Sequence, residues 1–168
     1  MVLIRTEDEI DELVNRTMRN NIVVKGIPED PKEDWETTKT KLCEHLAILS
    51  NENVHDIKEK IDRAHRGGKP QQDRDRPRNI YANFLYSTDA SYYVEESVKY
   101  CVKNKNNCKW RVENQFSTEV NDRRNQAMLL RKQLLQTKQI AQGHLVFPAK
   151  LYGKKDRAQK QWDLIKEF

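Results

Sequence analysis

The sequence predicts a mixed α+β fold. Two runs, at residues 21–28 and 79–86, are rich in β-branched and aromatic residues and are followed by turn or capping residues, as β-strands are. Elsewhere, apolar residues recur at the three- and four-residue spacing of amphipathic helices. Apolar residues make up 36% of the 168 and charged residues 34%, a polar composition that still allows a thin core.

The predicted element order over residues 21–113 is βαββαβ. Besides the two runs above, a weaker strand is predicted at residues 57–66 and a last one at residues 108–112. The first helix follows Asp30 as N-cap and Pro31, with Glu33 three residues after the cap, and carries Trp35, Thr38, Leu42, Leu46 and Leu49. The second, capped by Ser87 or Thr88, directs Ala90, Val94, Val98 and Cys101 inward. This order is that of the ferredoxin-like fold used by RNA-recognition-motif domains.

Strand alternation assigns side chains to the two faces of this sheet. Ile80, Ala82 and Phe84 are predicted to face the helices, which leaves Tyr81 and Asn83 on the open face. In the last strand Trp110 points inward, and Lys109 and Arg111 point outward. Tyr81, flanked by Lys109 and Arg111, is therefore the candidate for stacking on a base.

Residues 66–78 form a predicted flexible loop, R-G-G-K-P-Q-Q-D-R-D-R-P-R, with five basic and two acidic residues. Such a loop beside an open sheet can clamp phosphates, with Arg78 among its cations. A solvated linker is the alternative.

The segment 114–168 is predicted as a basic C-terminal domain. Its helix buries Val120, Ala127, Leu130, Leu134 and Ala141, and Arg124, Arg131 and Lys138 follow one line beside this apolar stripe. Gly143 is predicted to end the helix in the left-handed conformation, before a strand from His144. Phe147 and Lys150 then provide an aromatic ring and a cation near the arginines.

Basic charge increases toward the C-terminus. Residues 1–60 carry a net charge of −5, residues 61–119 of +3 and residues 120–168 of +7. This gradient indicates a polyanionic partner, either nucleic acid or an anionic membrane. The sequence has neither an apolar run of about 18 residues nor a secretory signal, so it predicts no membrane span and no export.

The remaining features favour a binding protein. Heptad spacing at the N-terminus predicts the end of a coiled coil over residues 1–20, with an ordinary surface helix as the alternative; the heptad positions are Leu3, Thr6, Ile10, Leu13 and Thr17.

The three cysteines, Cys43, Cys101 and Cys108, lack the spacing of metal ligands and are interpreted as reduced thiols of a cytosolic protein. Glu29, Asp30, Glu33, Asp34 and Glu36 are interpreted as acids at a helix N-terminus. We predict no catalytic site, metal or cofactor.

Five segments occur in the order of a known family: R-N-N-I-V-V-K-G-I-P-E, I-D-R-A-H-R, R-P-R-N-I-Y-A-N-F, N-D-R-R-N-Q and F-P-A-K-L. Together they resemble the RNA-binding protein encoded by the first open reading frame of LINE-one-type retrotransposons, over about residues 10–168. The resemblance implies a coiled-coil homotrimer that coats element RNA in cytoplasmic ribonucleoprotein particles, can enter the nucleus, and acts as a nucleic-acid chaperone. It assigns binding roles to Arg19, Asn21, Arg63, Arg66, Arg123, Arg124, Phe147 and Lys150.

The sequence thus predicts sequence-tolerant binding of single-stranded RNA and DNA. The residues themselves add Arg78, Tyr81, Lys109, Arg111 and Arg131 to the implied site. Two alternatives stay open: a host-adopted assembly module that binds protein partners, and a protein that binds anionic membranes.

Overall fold

A computed structural model describes the backbone of residues 2–69, 76–104 and 107–168, and side chains from residue 9 onward. The chain is mixed α+β, as predicted. The helices of the described residues are α1 (Val2–Thr17), α2 (Trp35–Ser50), α3 (Val54–Lys60), α4 (Ser87–Lys103) and α5 (Thr118–Gln136). The strands are β1 (Asn21–Lys25), β2 (Ile61–Arg66), β3 (Ile80–Phe84), β4 (Arg111–Asn114), β5 (Gln142–Val146), β6 (Lys150–Lys154) and β7 (Asp163–Glu167). Among the described helices, none is long and apolar enough to cross a membrane.

The chain divides into two compact units. Residues 16–115 form one unit, which we call the central unit, with an antiparallel sheet in the order β2-β3-β1-β4. Residues 1–15 and 116–168 form the other, the terminal unit, with the antiparallel sheet β5-β6-β7. Most of α1 therefore groups with the C-terminal segment, whereas the sequence analysis treated residues 1–20 as a separate element.

The core of the central unit lies between one face of its sheet and the helices. Ile80, Ala82 and Phe84 are buried as predicted, and they cluster with Leu42 and Leu46 of α2. Trp110 packs against this core, as predicted, with its ring stacked on Tyr100 at 5.8 Å. The open face of the sheet is thereby left to the intervening residues of each strand.

Two predicted elements of this unit have different bounds. Residues 57–60, predicted as strand, belong to helix α3, because the Asn53 side chain accepts the His55 N–H and caps a helical turn. Ile57 is buried from that helix rather than from a strand. The last strand begins at Arg111, three residues later than predicted.

The inward face of α4 also differs from the prediction. Tyr93 and Ser97 are buried, whereas Val98 is 57% exposed. The Tyr93 ring lies 5.5 Å from that of Phe84, and the Ser97 hydroxyl accepts the Val112 N–H at 2.9 Å. Ala90 is buried and Val94 packs against the core as predicted, so the prediction is wrong for Val98, whose expected place inside is taken by Tyr93 and Ser97.

A buried ion pair ties the end of β2 to the segment between β1 and α2. Arg66 Nε donates to the Glu33 carboxylate at 2.8 Å, and the two side chains are 3% and 0% exposed. Lys41 contacts the same carboxylate at 2.6 Å, and the Thr38 hydroxyl donates to it at 2.7 Å. Burial alone would raise the pKa of Glu33, but these hydrogen bonds outweigh it and lower the pKa to about 2.

A second ion pair holds the other end of the loop between β2 and β3. Arg78 pairs with Glu29, whose pKa is lowered mainly by the hydrogen bond from Arg78. Arg66 Nη1 also donates to the Arg78 carbonyl at 2.8 Å, and Gly67 N–H donates to Asn79 O at 2.9 Å. Both ends of the loop are therefore fixed to one another and to the β1–α2 segment.

The prediction that the acids of residues 29–36 belong to a helix N-terminus is confirmed for Asp34 and Glu36 and wrong for Glu29 and Glu33. The N-cap of α2 is Asp34, which accepts the Thr37 N–H at 2.7 Å, and not Asp30. Glu29 and Glu33 lie before the helix and are ion-pair partners of arginines that arrive from β2 and β3.

In the terminal unit, α5 packs on the sheet β5-β6-β7. Val120 and Ala127 are buried as predicted, and the Ser117 side chain caps the helix by accepting the Val120 N–H. Asp11 of α1 forms an ion pair with Arg123 of α5. The Ser117 N–H also donates to Asn15 Oδ1 at 3.1 Å, so α1 lies against the start of α5.

The predicted end of α5 was wrong. The helix ends at Gln136, and Lys138, with φ of 56°, adopts the left-handed conformation that was expected of Gly143. Gly143 lies in β5 opposite Gly153, where an added Cβ would be 3.0 Å from Ile140 Cδ1. Lys138 and Ala141 are consequently outside the helix, and the predicted line of Arg124, Arg131 and Lys138 does not extend along it.

We expect Glu33→Gln to lower the free energy of unfolding by about 3 to 5 kcal/mol near neutral pH, because Arg66 keeps a buried charge without its counterion. The folded-state pKa of Glu33 is about 2 and its ordinary value is 4.5, so the carboxylate stabilises fully above pH 4.5. This contribution is lost as the pH falls through about 2. Urea unfolding of the wild type and of Glu33→Gln across this pH range measures the difference between their free energies of unfolding.

The control is Glu36→Gln, because the Glu36 side chain is 54% exposed and its ion pair with Lys58 lies at the surface. We expect this variant to unfold within about 1 kcal/mol of the wild type. The role of the ion pair would be contradicted if the free energies of unfolding of the wild type and Glu33→Gln differed little, or if their difference did not decrease on acidification.

Candidate nucleic-acid interface

The open face of the central sheet carries a small polar cavity around Tyr81. Its volume is about 120 Å³, and it is lined by Asn21, Arg63, His65, Tyr81, Ala82, Asn83 and Gln115. Asn83 donates through its side-chain amide to the side-chain oxygen of Asn21, which fixes both amides at the wall of the cavity. Arg63 is exposed and lies opposite Asn83 in the β2–β3 ladder. Three residues predicted for the site, Asn21, Arg63 and Tyr81, therefore come together here.

The position of the Tyr81 ring is set by two neighbours. His65 lies opposite it on β2, and the two rings are nearly parallel, with centroids 6.0 Å apart and an interplanar angle of 23°. On another side the ring passes over Gly67, where an added Cβ would lie 2.3 Å from Tyr81 Cε2. Tyr81 thus occupies space that any other residue at position 67 would take.

A larger open cavity of about 810 Å³ adjoins the same ring. It is lined by His65, Gly67, Gly68, Arg76, Pro77, Arg78, Asn79 and Tyr81. Tyr81 and His65 border both cavities. A nucleobase stacked on Tyr81 would therefore lie between the polar groups of the smaller cavity and the two ends of the β2–β3 loop. Residues 70–75 of the predicted phosphate-clamping loop lie outside the described residues.

Arg66 and Arg78 were predicted to bind phosphate, and the structure assigns them another role. An arginine side chain has five N–H donors. At Arg66 all five donate, to the Glu33 carboxylate and to the carbonyls of Ile27, Pro28 and Arg78. Arg78, 10% exposed, donates to Glu29 and to the Gly68 carbonyl. Both guanidinium groups hold the loop ends together instead of facing a ligand.

Lys109 and Arg111 do not flank Tyr81, contrary to the prediction. Strand β1 separates β3 from β4, so the cross-strand neighbours of Tyr81 are Val23 and His65. Arg111 lies opposite Lys25 at the far edge and pairs with Glu113 at 2.5 Å. Arg19 and Lys109 are exposed and lie outside the strands.

The terminal unit carries a stack of one guanidinium and two aromatic rings, which we call the Arg124 stack. The Arg124 guanidinium lies 4.7 Å from the centroid of the Phe116 ring, and Phe116 stacks on Phe147 at 6.0 Å and 30°. Arg124 Nη1 also donates to the Pro148 carbonyl at 3.1 Å. Phe147 is 43% exposed, so one end of the stack reaches solvent.

The other predicted cations of this unit differ in how far they are engaged. Lys150 pairs with Glu167 at 2.9 Å, but both side chains are exposed enough that such a pair stabilises weakly and can exchange for a phosphate. Arg131 donates from Nε to the Gly143 carbonyl at 2.6 Å and so connects α5 to β5. Arg123 is joined to Asp11 of α1. Arg124 therefore contacts both the ring next to Phe147 and the carbonyl of the residue after it, and Lys150 follows Phe147 by three residues.

Three residues of these sites were not predicted from the sequence: Phe116, His65 and Gly67. Phe116 lies in the two-residue connection between β4 and the Ser117 cap, where no periodicity marks it. His65 and Gly67 could have been found from alternation, since His65 falls two residues after Arg63 on the same face.

Among the described residues, no group of three His, Cys, Asp or Glu side chains is placed to hold a metal ion.

Comparison of the chain with models of known protein families and with curated proteins gives no match. The family resemblance therefore depends on the five sequence segments quoted above.

We expect Gly67→Ala to displace the Tyr81 ring, because the new methyl group would overlap it. The aromatic NMR resonances of Tyr81 and His65 should shift together, while those of Tyr86, which is 67% exposed, should not. Unchanged Tyr81 and His65 resonances in the variant would show that the ring is not held over Gly67.

Proposed function

We propose that this protein binds single-stranded RNA and DNA with little sequence preference and acts as a nucleic-acid chaperone. The observation that carries the proposal is the Arg124 stack, whose outermost ring, Phe147, is 43% exposed. Aromatic rings stack on any base, and a guanidinium or ammonium next to them neutralises the adjoining phosphate. An exposed ring backed by a second ring and an arginine has the chemistry that such binding requires.

The central unit supports the same proposal. We propose that it is a ferredoxin-like RNA-recognition-motif domain with α3 inserted, a proposal supported by its strand order, β2-β3-β1-β4, and by its helices on one face of the sheet. In such domains, aromatic side chains on the open face stack on bases. Tyr81 occupies that face, with Arg63 beside the same cavity.

Charge favours an extended polyanion over a small ligand. Residues 120–168, which include Arg124 and Phe147, carry a net charge of +7, whereas residues 1–15 of the same unit carry −4, so positive charge is concentrated in the C-terminal segment. Neutralising phosphates without reading base edges lowers the repulsion between two strands. Complementary strands can then anneal and mismatched ones exchange, which is the activity of a chaperone.

The five sequence segments support membership of the LINE-one-type family, and with it self-association through α1. Ile10 and Leu13, at the predicted heptad positions, are 58% and 61% exposed on one copy of the chain. Two neighbouring apolar side chains exposed on a helix favour burial against a partner helix. A homotrimer would raise the avidity of weak single-copy binding by increasing the effective concentration of sites.

We expect Phe147→Ala to weaken binding of a labelled single-stranded RNA of about 25 nucleotides by about 1 to 3 kcal/mol, the contribution of one stacked base. Fluorescence anisotropy measures the affinity, and Trp35→Ala is the matched control. Trp35 is an aromatic residue that is 64% exposed, and it belongs to the central unit rather than to the unit that carries the Arg124 stack. We expect Phe147→Tyr to retain the wild-type affinity.

Two results would contradict the proposed site. Equal affinities of the wild type, Phe147→Ala and Trp35→Ala would exclude Phe147 as a stacking platform. A strong preference for one base sequence over scrambled sequences of the same composition would contradict the sequence-tolerant mechanism.

A further inference from the structure

The sheet β5-β6-β7 has two chemically different faces. Leu151 and Gly153 of β6 are buried, and Gly153 lies against Ile140, which follows α5. The alternate residues of β6, Lys150, Tyr152 and Lys154, therefore project from the opposite face. That second face, which we call the outer face, carries cations and an aromatic ring in alternation.

Three aromatic rings meet on the outer face. His144 lies opposite Tyr152 in the β5–β6 ladder, and their rings are nearly parallel, with centroids 5.6 Å apart and an angle of 17°. Trp162 meets His144 edge-on, with centroids 4.2 Å apart, and Lys154 Nζ lies 4.6 Å from the Trp162 ring centroid. All three aromatic residues are half-buried. They form a continuous aromatic surface with a cation on it.

The turn that joins β6 to β7 adds positive charge next to these rings. Its sequence from Lys154 to Lys160, K-K-D-R-A-Q-K, has four basic residues and one acid. Lys155, Arg157 and Lys160 are exposed, and Asp156 accepts the Ala158 N–H at 3.1 Å within the turn. The single acid of the turn thus serves its local structure while the cations face outward.

We propose that the outer face is a second stacking site for single-stranded nucleic acid, in which bases stack on Trp162 and Tyr152 and the Lys154–Lys160 turn holds the adjoining phosphates. The inference rests on the proposed function and extends it to residues outside the five family segments. Aromatic rings with interspersed cations fit a strand that alternates flat bases with anionic phosphates. An ammonium over an indole, as at Lys154, can move to a phosphate when a base takes its place on the ring.

The outer face differs from two simpler kinds of surface. A patch of cations without aromatic rings would attract any polyanion, and a cluster of aromatic rings without cations would form a small hydrophobic core. The outer face combines both, and it extends onto exposed side chains. Leu164, opposite Tyr152 on β7, is 53% exposed, and Val146 on β5 is 41% exposed. A core element would bury these two residues, so the outer face has the character of a binding surface.

Three variants test the inference on the full chain by anisotropy with single-stranded RNA of about 25 nucleotides. Trp162→Ala should weaken binding about tenfold or more, and Trp162→Phe should retain most of the affinity. The triple variant Lys155→Gln, Arg157→Gln, Lys160→Gln alters exposed side chains and so spares the fold. It should lower the slope of log affinity against log salt by about 2, as expected for three lost phosphate contacts on a single strand.

Trp35→Ala is the control, because Trp35 is 64% exposed and lies in the central unit. Its affinity should equal that of the wild type. Photocrosslinking of RNA containing 4-thiouridine should label Trp162 or Tyr152 in the wild type, and mass spectrometry of the peptides identifies the position.

The failure of this inference is distinguishable from failure of the proposed function. If the wild type binds and Phe147→Ala weakens it, but Trp162→Ala and the triple variant bind as the wild type does, the outer face is not a nucleic-acid site. If the wild type does not bind single strands even at low salt, the proposed function and this inference are both wrong.

Discussion

The buried ion pair between Arg66 and Glu33 is the interaction on which the open-face site depends. Burying an arginine costs desolvation energy, which is offset only when its donors are satisfied, and here a carboxylate and three backbone carbonyls satisfy them. Arg66 also donates to the Arg78 carbonyl, which joins the two ends of the β2–β3 loop. This bond fixes the position of Gly67, the residue that follows Arg66. Gly67 in turn leaves room for the Tyr81 ring. A charge in the interior therefore positions an aromatic ring on the surface.

The basic residues of the chain divide into two groups with different consequences. Arg66, Arg78, Arg123 and Arg131 bind carboxylates or backbone carbonyls of the fold and so stabilise it. Arg63, Lys150 and the exposed cations of the β6–β7 turn keep much of their surface exposed. Net charge by segment therefore overestimates the number of possible phosphate contacts in both units. The proposed binding surfaces are those where an exposed cation lies beside an aromatic ring.

Strand alternation predicted which residues of β3 face the core, because β3 is a central strand whose pleat assigns every side chain to one face. The same rule, applied from Ala64 to Arg66, would have placed Arg66 on the core face. Other features had no local signal. The left-handed conformation of Lys138 is uncommon for a residue with a side chain, so Gly143 was preferred as the helix end. Phe116 lies in a connection, and its stacking partners Arg124 and Phe147 come from later segments of the chain.

The central claim is that rings and cations on this protein hold unpaired strands. The most direct measurement is the affinity of the wild-type chain for a single-stranded RNA of about 25 nucleotides and for the same RNA annealed to its complement, each at several salt concentrations. We expect tighter binding of the single strand, because paired bases cannot stack on the rings, and a linear fall of log affinity with log salt. Equal or tighter binding of the duplex, or an affinity independent of salt, would contradict the account.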